Sequence, residues 1–206
     1  DETAHGYNAY SILKTGKDEY GYTLPLSFRS FDDYKPPLYT YLVVPSVAIF
    51  GLTDFAVRFP SALIGVLAVL ATYLMVYELF KSKKIALLSA FFLCISPWHL
   101  QFSRVAFETN SAIFFSVFGT FAFLKATRSE NKKIAIWLSI SALAFGLNLF
   151  MYHNARVFIP IFSLALLIPF RKFLTQFKKY LVIPSLISVA SIIFLIPIIS
   201  SISGQL

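Results

Sequence analysis

Apolar segments of nearly membrane-crossing length follow one another from residue 60 to the end of the chain. A helix needs about 20 apolar residues to cross the hydrocarbon core of a bilayer, and these segments approach that length. Only 14% of the residues are charged, whereas an ordinary soluble domain has about 25%. The segments lack the alternation of polar and apolar residues that barrel strands require. The sequence therefore predicts an all-α integral membrane protein, folded as a polytopic transmembrane helical bundle.

About six spans are predicted, each from one apolar segment and the residues that bound it. They cover residues 60–80, 85–97, 105–124, 134–150, 157–170 and 181–200. The second segment is short for a span, so residues 98–102, which include Trp98, are predicted to extend it into the outer interface, where tryptophan is favoured. Pro60 and Pro184 are suited to a first helical turn, and Pro97 to a helix end.

Basic residues concentrate in three short gaps between the apolar segments. Cytoplasmic loops carry an excess of lysine and arginine, so these gaps are predicted to be cytoplasmic. Their basic residues are Lys81, Lys83 and Lys84; Lys125, Arg128, Lys132 and Lys133; and Arg171, Lys172, Lys178 and Lys179. In a membrane protein this distribution matters more than the net charge of +8, and no nucleic-acid partner is expected. All three histidines and eight of the ten acidic residues lie elsewhere, which places the titratable chemistry on the extracytoplasmic face.

The segment 1–58 is predicted to form an outer loop with juxtamembrane helices, and residues 59–206 the transmembrane bundle. The apolar run 38–50 is short and is interrupted by Pro45. If the next segment enters the membrane from outside, everything before it lies outside, so this run is predicted to lie along the interface. A thin spanning helix is the alternative. Since the chain begins on Asp-Glu and ends in apolar residues, we expect it to be a fragment of a longer protein.

The outer gaps carry ionisable residues at predicted helix ends. Arg104 and Glu108 are four residues apart, so on a continuous helix they share one face and can pair. An ionisable group at a membrane boundary costs free energy unless it is paired or reaches water. Either these two satisfy each other, or Glu108 faces a cavity formed with the first segment. Arg58 and Arg156 either meet a phosphate or anchor helix ends.

Lys35 precedes two prolines, which hold its backbone in an extended conformation. Its ammonium is a point charge suited to a phosphate, or it reaches from the membrane boundary to water. His5, His99 and His153 show no metal-ligand spacing. Each of the three is expected to be a hydrogen-bonded residue at the interface.

Four blocks of sequence stand out in the first 110 residues. They are Asp1-Glu2 followed by AYSILKTG at 9–16, YKPPLY at 34–39, FGLTDFAVRFPSA at 50–62 and SRVAFE at 103–108. Together they resemble the polyprenyl-phosphate-sugar-dependent glycosyltransferases of the GT-C type. The resemblance is to the protein mannosyltransferase-like enzymes of glycosyltransferase family 39 and to the lipid A aminoarabinose transferases. It implies a partial GT-C-like fold.

In that family an outer loop opens with the catalytic carboxylate, and a second acidic residue lies in the next outer loop. The resemblance therefore implies that Asp1, with Glu2 beside it, and Glu108 are the catalytic carboxylates. It places Lys35 near the lipid phosphate. The full set of implied substrate-binding residues is Lys35, Arg58, Arg104, Tyr34, His153 and Arg156. A divalent metal ion held by Asp1 and Glu108 is left open, and no other cofactor is expected.

The implied reaction is inverting transfer of a sugar from a polyprenyl phosphate, such as undecaprenyl or dolichyl phosphate, to an acceptor hydroxyl. The implied partners are that donor, a glycan, lipid or protein acceptor, and the lipid bilayer. Residues 1–58 then form the outer catalytic loop of a multi-pass protein of the plasma or inner membrane, with Asp1 as general base. One alternative is a transporter or flippase for a lipid-linked sugar, which places polar residues near the bilayer midplane. The other is a non-catalytic membrane assembly subunit.

Overall fold

The computed structural model describes residues 2–30, 33–130 and 132–203 of the 206-residue chain. The helices are α1 (Glu2–Thr15), α2 (Pro37–Phe50), α3 (Asp54–Phe80), α4 (Lys83–Ile95), α5 (Pro97–Arg104), α6 (Glu108–Thr127), α7 (Lys132–Leu149), α8 (Ala155–Leu167), α9 (Arg171–Gln176) and α10 (Val182–Ser203). Strands β1 (Phe28–Ser30) and β2 (Asp33–Lys35) form an antiparallel hairpin between α1 and α2. The predicted all-α membrane bundle is confirmed, and within these ranges the hairpin is its one sheet.

The described part of residues 1–58 holds α1, α2 and the start of α3. α1 and α2 pack against each other and against α3. α2 has 14 residues, so it is about 21 Å long, less than the ~30 Å of a hydrocarbon core. Its buried stripe repeats every four residues from Tyr39. The Tyr39 hydroxyl donates to the Val57 carbonyl oxygen at 3.1 Å, and the Ser46 hydroxyl donates to the Ala56 carbonyl oxygen at 2.6 Å. These hydrogen bonds fix α2 across the start of α3.

α3 begins well before its predicted span. Gly51 ends α2 in the left-handed region at φ 74°, a conformation that glycine adopts without steric cost. The Thr53 side chain then caps α3 by accepting from the Ala56 N–H at 3.2 Å. The prediction that Pro60 lies in a first turn is therefore wrong, because the proline lies inside α3. Pro184 does lie in the first turn of α10, as predicted.

Two of the described helices, α3 and α7, are long and apolar enough to cross a membrane. α4 and α5 meet that condition only as a pair, and they are bent by 59°. Residues 98–102 are helical, but they belong to α5, because Ser96 ends α4 and Pro97 begins a separate helix. Whether they extend the second span into the outer interface stays a prediction. α2, α8 and α10 as far as Ile196 are apolar but shorter. The count of six spans stays a prediction.

α6 lies between α3 and α7, and polar side chains cross its contact with α7. Asn148 Nδ2 donates to the Ala112 carbonyl oxygen at 2.9 Å, and the Ser141 hydroxyl donates to the Gly119 carbonyl oxygen at 2.8 Å. A Cβ atom at Gly119 would lie 2.7 Å from the Phe145 ring. Small residues let helices approach closely in membrane bundles. The Asn148 hydrogen bond therefore fixes α6 against α7 one helical turn after Glu108, the first residue of α6.

Candidate active site

α1 presents a histidine to the interior of the protein. His5 is 1% exposed, and its Nδ1 lies 2.9 Å from the Thr40 hydroxyl of α2. Its ring meets the Tyr39 ring edge-on, with 5.0 Å between the centroids. Ala9 and Ile12 are buried on the same helix, at the spacing of one helical face. Packing and a hydrogen bond therefore both hold the imidazole in place.

The other imidazole nitrogen faces the second predicted carboxylate. His5 Nε2 lies 3.5 Å from Glu108 Oε2, and the two side chains are 1% and 8% exposed. Glu108 is the first residue of α6, where the helix dipole favours a negative charge. Among the described residues, neither His5 Nε2 nor Glu108 Oε2 makes a well-formed hydrogen bond. Buried polar atoms of this kind call for a further partner, which a substrate group can supply.

The lysine that the sequence singled out lies close to this carboxylate. Lys35 ends β2, opposite Phe28 in the hairpin, and is 5% exposed. The strand gives it the extended backbone predicted from Pro36. The Lys35 ammonium acts electrostatically on the Glu108 carboxylate. The structure thus gathers a buried carboxylate, an imidazole and an ammonium.

Glu2 forms a separate set of contacts at the start of α1. Its carboxylate accepts from Arg58 Nε at 3.0 Å and from Arg58 Nη2 at 2.6 Å, and Glu2 Oε1 also accepts from the Ala106 N–H at 2.7 Å. The Arg58 hydrogen bonds are the main cause that lowers the pKa of Glu2 below its usual range. Ala106 is two residues before Glu108, so these contacts bring the start of α1 to the turn that leads into α6.

The Glu2 contacts predict a pH-dependent stability. The pKa of Glu2 is lowered in the folded protein. The ionised carboxylate therefore contributes fully to the free energy of unfolding above the ordinary glutamate pKa of about 4.3, and this contribution is lost as the pH falls through the lowered pKa. Glu2→Gln is expected to lower the unfolding temperature in detergent by a few degrees at pH 7. The difference from wild type should shrink below pH ~4. A difference that does not change with pH would remove the ionised carboxylate as its cause.

Arg104 and Glu108 do not share a helical face, so that prediction is wrong. α5 ends at Arg104 and α6 begins at Glu108, with Val105 in extended conformation between them. Arg104 is exposed whereas Glu108 is buried, and Glu108 faces His5 instead. Mutual pairing of the two is thereby excluded as the explanation of Glu108. A contact between Arg104 and a phosphate stays a prediction.

His153 and Arg156 lie around the turn between α7 and α8. Arg156 Nε donates to the Leu149 carbonyl oxygen at 3.4 Å, which fits the alternative that it anchors a helix end. Within the described ranges, His153 Nε2 and Arg156 Nη2 are buried without a hydrogen bond. The Leu38 N–H donates to the Phe150 carbonyl oxygen at 3.2 Å, so this turn adjoins the start of α2. Substrate binding by His153 and Arg156 stays a prediction.

Three further predictions about the site also stay predictions. Tyr34 lies half-buried in β2, opposite Arg29, and its contact with substrate stays a prediction. Asp1, the predicted general base, lies outside the described residues. In the part of the chain that the structure describes, no group of three or more His, Cys, Asp or Glu side chains could hold a metal ion. A divalent ion at Asp1 and Glu108 also stays a prediction.

Sequence reasoning missed the place of His5. The expected hydrogen bond is present, but nothing predicted that the ring would lie beside Glu108. Residues 5, 40 and 108 are far apart in the chain, and no motif spacing links them. The available signal was the helical spacing of His5, Ala9 and Ile12, which marks an inward-facing stripe.

The fold and these contacts define an all-α integral membrane protein with a buried carboxylate, imidazole and lysine at one end of its bundle. The profile of the dolichyl-phosphate-mannose-protein mannosyltransferases matches residues 34–198. The chain belongs to this family, as the sequence resemblance predicted. Lys35 and Glu108 lie within the matched part, whereas Glu2 precedes it.

Two curated relatives match over most of this chain. An "Uncharacterized protein" of Aquifex aeolicus (strain VF5) is 27% identical over 142 residues, which are 69% of this chain and 28% of the relative. The "Putative mannosyltransferase YkcB" of Bacillus subtilis (strain 168) is 30% identical over 134 residues, 65% of this chain and 18% of the relative. The chain therefore spans less than a third of the length of these relatives. No solved structure matches it significantly.

Proposed function

We propose that the protein is a membrane glycosyltransferase of the GT-C type that moves a sugar from a polyprenyl phosphate to an acceptor hydroxyl. Family membership supports the reaction class, and the name of the Bacillus subtilis relative supports a mannose-like sugar. The observation that carries the proposal is the buried Glu108 carboxylate, 3.5 Å from His5 and within the field of Lys35. We place the reaction on the extracytoplasmic face of a multi-pass protein, with a glycan, lipid or protein as acceptor.

In this mechanism a bond forms between the acceptor oxygen and the anomeric carbon while the bond from that carbon to the phosphate oxygen breaks. Asp1 takes the proton of the acceptor hydroxyl as general base. The phosphate leaves with the electron pair, and attack from the opposite side inverts the anomeric carbon. All atoms and charges are thus accounted for without a redox partner.

Lys35 stabilises the phosphate as it leaves. Negative charge on that group grows in the transition state, so a nearby fixed cation stabilises the transition state more than the ground state. Lys35 is buried, and a charge in a water-poor site acts more strongly than one in bulk water. Arg58 engages Glu2, so we assign it the role of holding the start of α1 rather than the phosphate.

Glu108 contributes negative charge near this lysine. An ionised Glu108 attracts the Lys35 ammonium and is itself held by His5, whose other nitrogen bonds Thr40. Fixed partners reduce the reorganisation that the reaction requires. A divalent ion between Asp1 and Glu108 would add further positive charge, but no step of this mechanism depends on it.

The test uses the full-length protein in vesicles with a labelled polyprenyl-phosphate sugar. We expect labelled product when an acceptor is supplied on the extracytoplasmic side only. Movement of the donor across the bilayer without product would instead identify a carrier. If neither product nor movement occurs, the non-catalytic assembly subunit replaces the enzyme. The same assay after EDTA treatment decides whether a divalent ion takes part.

A further inference from the structure

A buried carboxylate at the far end of α3 lies outside the candidate active site. The Glu78 side chain is 3% exposed and is joined by three cations from two helix ends. Lys81 forms an ion pair with it, Lys125 Nζ lies 2.9 Å from Glu78 Oε1, and Arg128 Nη1 lies 3.7 Å from Glu78 Oε2. The cluster therefore ties the end of α3 to the end of α6.

This cluster has more positive charge than its carboxylate can balance. Glu78 neutralises one of the three cations, which leaves two positive charges. The Lys81, Lys125 and Arg128 side chains remain 47%, 42% and 40% exposed, so each can meet a second partner. An arginine fork and lysine ammonium groups are the usual ligands of a phosphate.

The depth of the cluster matches a lipid headgroup layer. Glu78 is 20 residues after Arg58 on the same helix, which is about 30 Å at the helical rise and equals the ~30 Å hydrocarbon thickness. Arg58 marks the end of the bundle that holds the candidate active site. The cluster thus lies one hydrocarbon thickness away, at the end that the basic loops predict to be cytoplasmic.

The surface beside the cluster is apolar. Leu79 is 45% exposed and Phe80 is 62% exposed, directly between Glu78 and Lys81 in the chain. Exposed apolar side chains next to cations suit a ligand that has both a phosphate and acyl chains. A soluble phosphate has no apolar part that could contact them. Basic pockets between helices on the cytoplasmic side bind anionic lipid headgroups in this way.

We propose that Lys81, Lys125 and Arg128, held in place by Glu78, bind the headgroup phosphate of an anionic glycerophospholipid. The carboxylate orients the cations, and their exposed sides face the lipid. The site is independent of sugar transfer and lies at the opposite end of the bundle.

The experiment places the full-length protein in phosphatidylcholine bilayers with spin-labelled phosphatidylglycerol, and compares its association with that of spin-labelled phosphatidylcholine. Wild type should prefer the anionic lipid, and each cation removed should reduce the preference roughly fivefold. The main variant is Lys125→Gln with Arg128→Gln. Its control is Lys83→Gln with Lys84→Gln, which removes the same charge from exposed lysines outside the Glu78 contacts. The control should keep most of the preference.

Four results would overturn the proposal. If the control loses the preference for the anionic lipid as strongly as the main variant, the lipid is attracted diffusely by the basic loops. If wild type shows no preference for the anionic lipid, the site does not exist. Displacement of the labelled lipid by millimolar glycerol 3-phosphate would mean a soluble phosphate ligand. If the double variant does not fold, Arg128→Gln alone takes its place, since Arg128 is the most distant of the three cations from Glu78. An unchanged preference in that variant also overturns the site.

Discussion

Asp1→Asn in the full-length protein is expected to reduce sugar transfer by roughly 10²–10⁴-fold, the usual contribution of a general base. Asparagine keeps the size of the side chain but cannot take the proton of the acceptor hydroxyl. The contacts of the neighbouring Glu2 with Arg58 and Ala106 place the start of α1 beside the turn that leads to Glu108. Expression and membrane insertion should not change, because asparagine is close to aspartate in size and residue 1 precedes every apolar segment of the sequence.

The matched control is Asp54→Asn, which changes an exposed carboxylate in the first turn of α3. It changes the same charge by the same substitution and should transfer sugar at the wild-type rate. Initial rates with the labelled donor, at saturating acceptor, measure both variants. If Asp1→Asn turns over normally, another group is the base and the mechanism loses its first step.

The charge distribution correctly predicted that residues from two basic gaps lie at the same end of the bundle. Lys81, Lys125 and Arg128 come from two different basic gaps that the positive-inside bias assigns to one side, and all three meet at Glu78. The bias acts on whole loops, so it needs no knowledge of contacts. Glu78 itself was missed, because a single carboxylate within an apolar segment shows no pattern that names its partners.

The bend between α4 and α5 shows why helix boundaries are harder to predict from the sequence than the end of the bundle at which a loop lies. Apolar residues dominate from 85 to 95, and this segment is short for a span, which favours an extension through 98–102. The local signals were Ser96 and Pro97, since a proline restricts the residue before it to extended conformations. The sequence predicts a helix end at Pro97; α4 does end just before it, and Pro97 also opens α5, which is bent by 59° from α4. A proline fits either role, and tertiary packing decides which one is used.

In the candidate site, too, features set by local sequence were predictable and features set by long-range packing were not. Lys35 was recognisable because its backbone constraint is local, being imposed by the next residue. The His5 to Glu108 contact joins α1 to α6, and only the packing of α1 on α2 and α3 brings these helix starts together. Resemblance supplied the carboxylates but not the imidazole between Thr40 and Glu108. Long-range polar contacts of this kind depend on the fold as a whole.

Glu108→Gln is expected to reduce transfer by roughly 10²–10³-fold, as for other losses of fixed electrostatic stabilisation. Glutamine keeps the shape of the side chain but removes the negative charge that faces His5 and Lys35. The electrostatic attraction between Glu108 and the Lys35 ammonium is then lost, so the ammonium is less well oriented toward the leaving phosphate. The loss should therefore appear mainly in kcat, because the interaction is strongest in the transition state.

Two variants separate this effect from general damage. Glu130→Gln removes an exposed carboxylate near the opposite end of α6 and should leave transfer unchanged. His5→Gln keeps a polar side chain opposite Thr40 but loses the ring nitrogen that faces Glu108, so we expect a smaller decrease than for Glu108→Gln. Thermal unfolding in detergent checks that all three remain folded. A folded Glu108→Gln protein with wild-type kcat would show that the buried carboxylate serves packing and not sugar transfer.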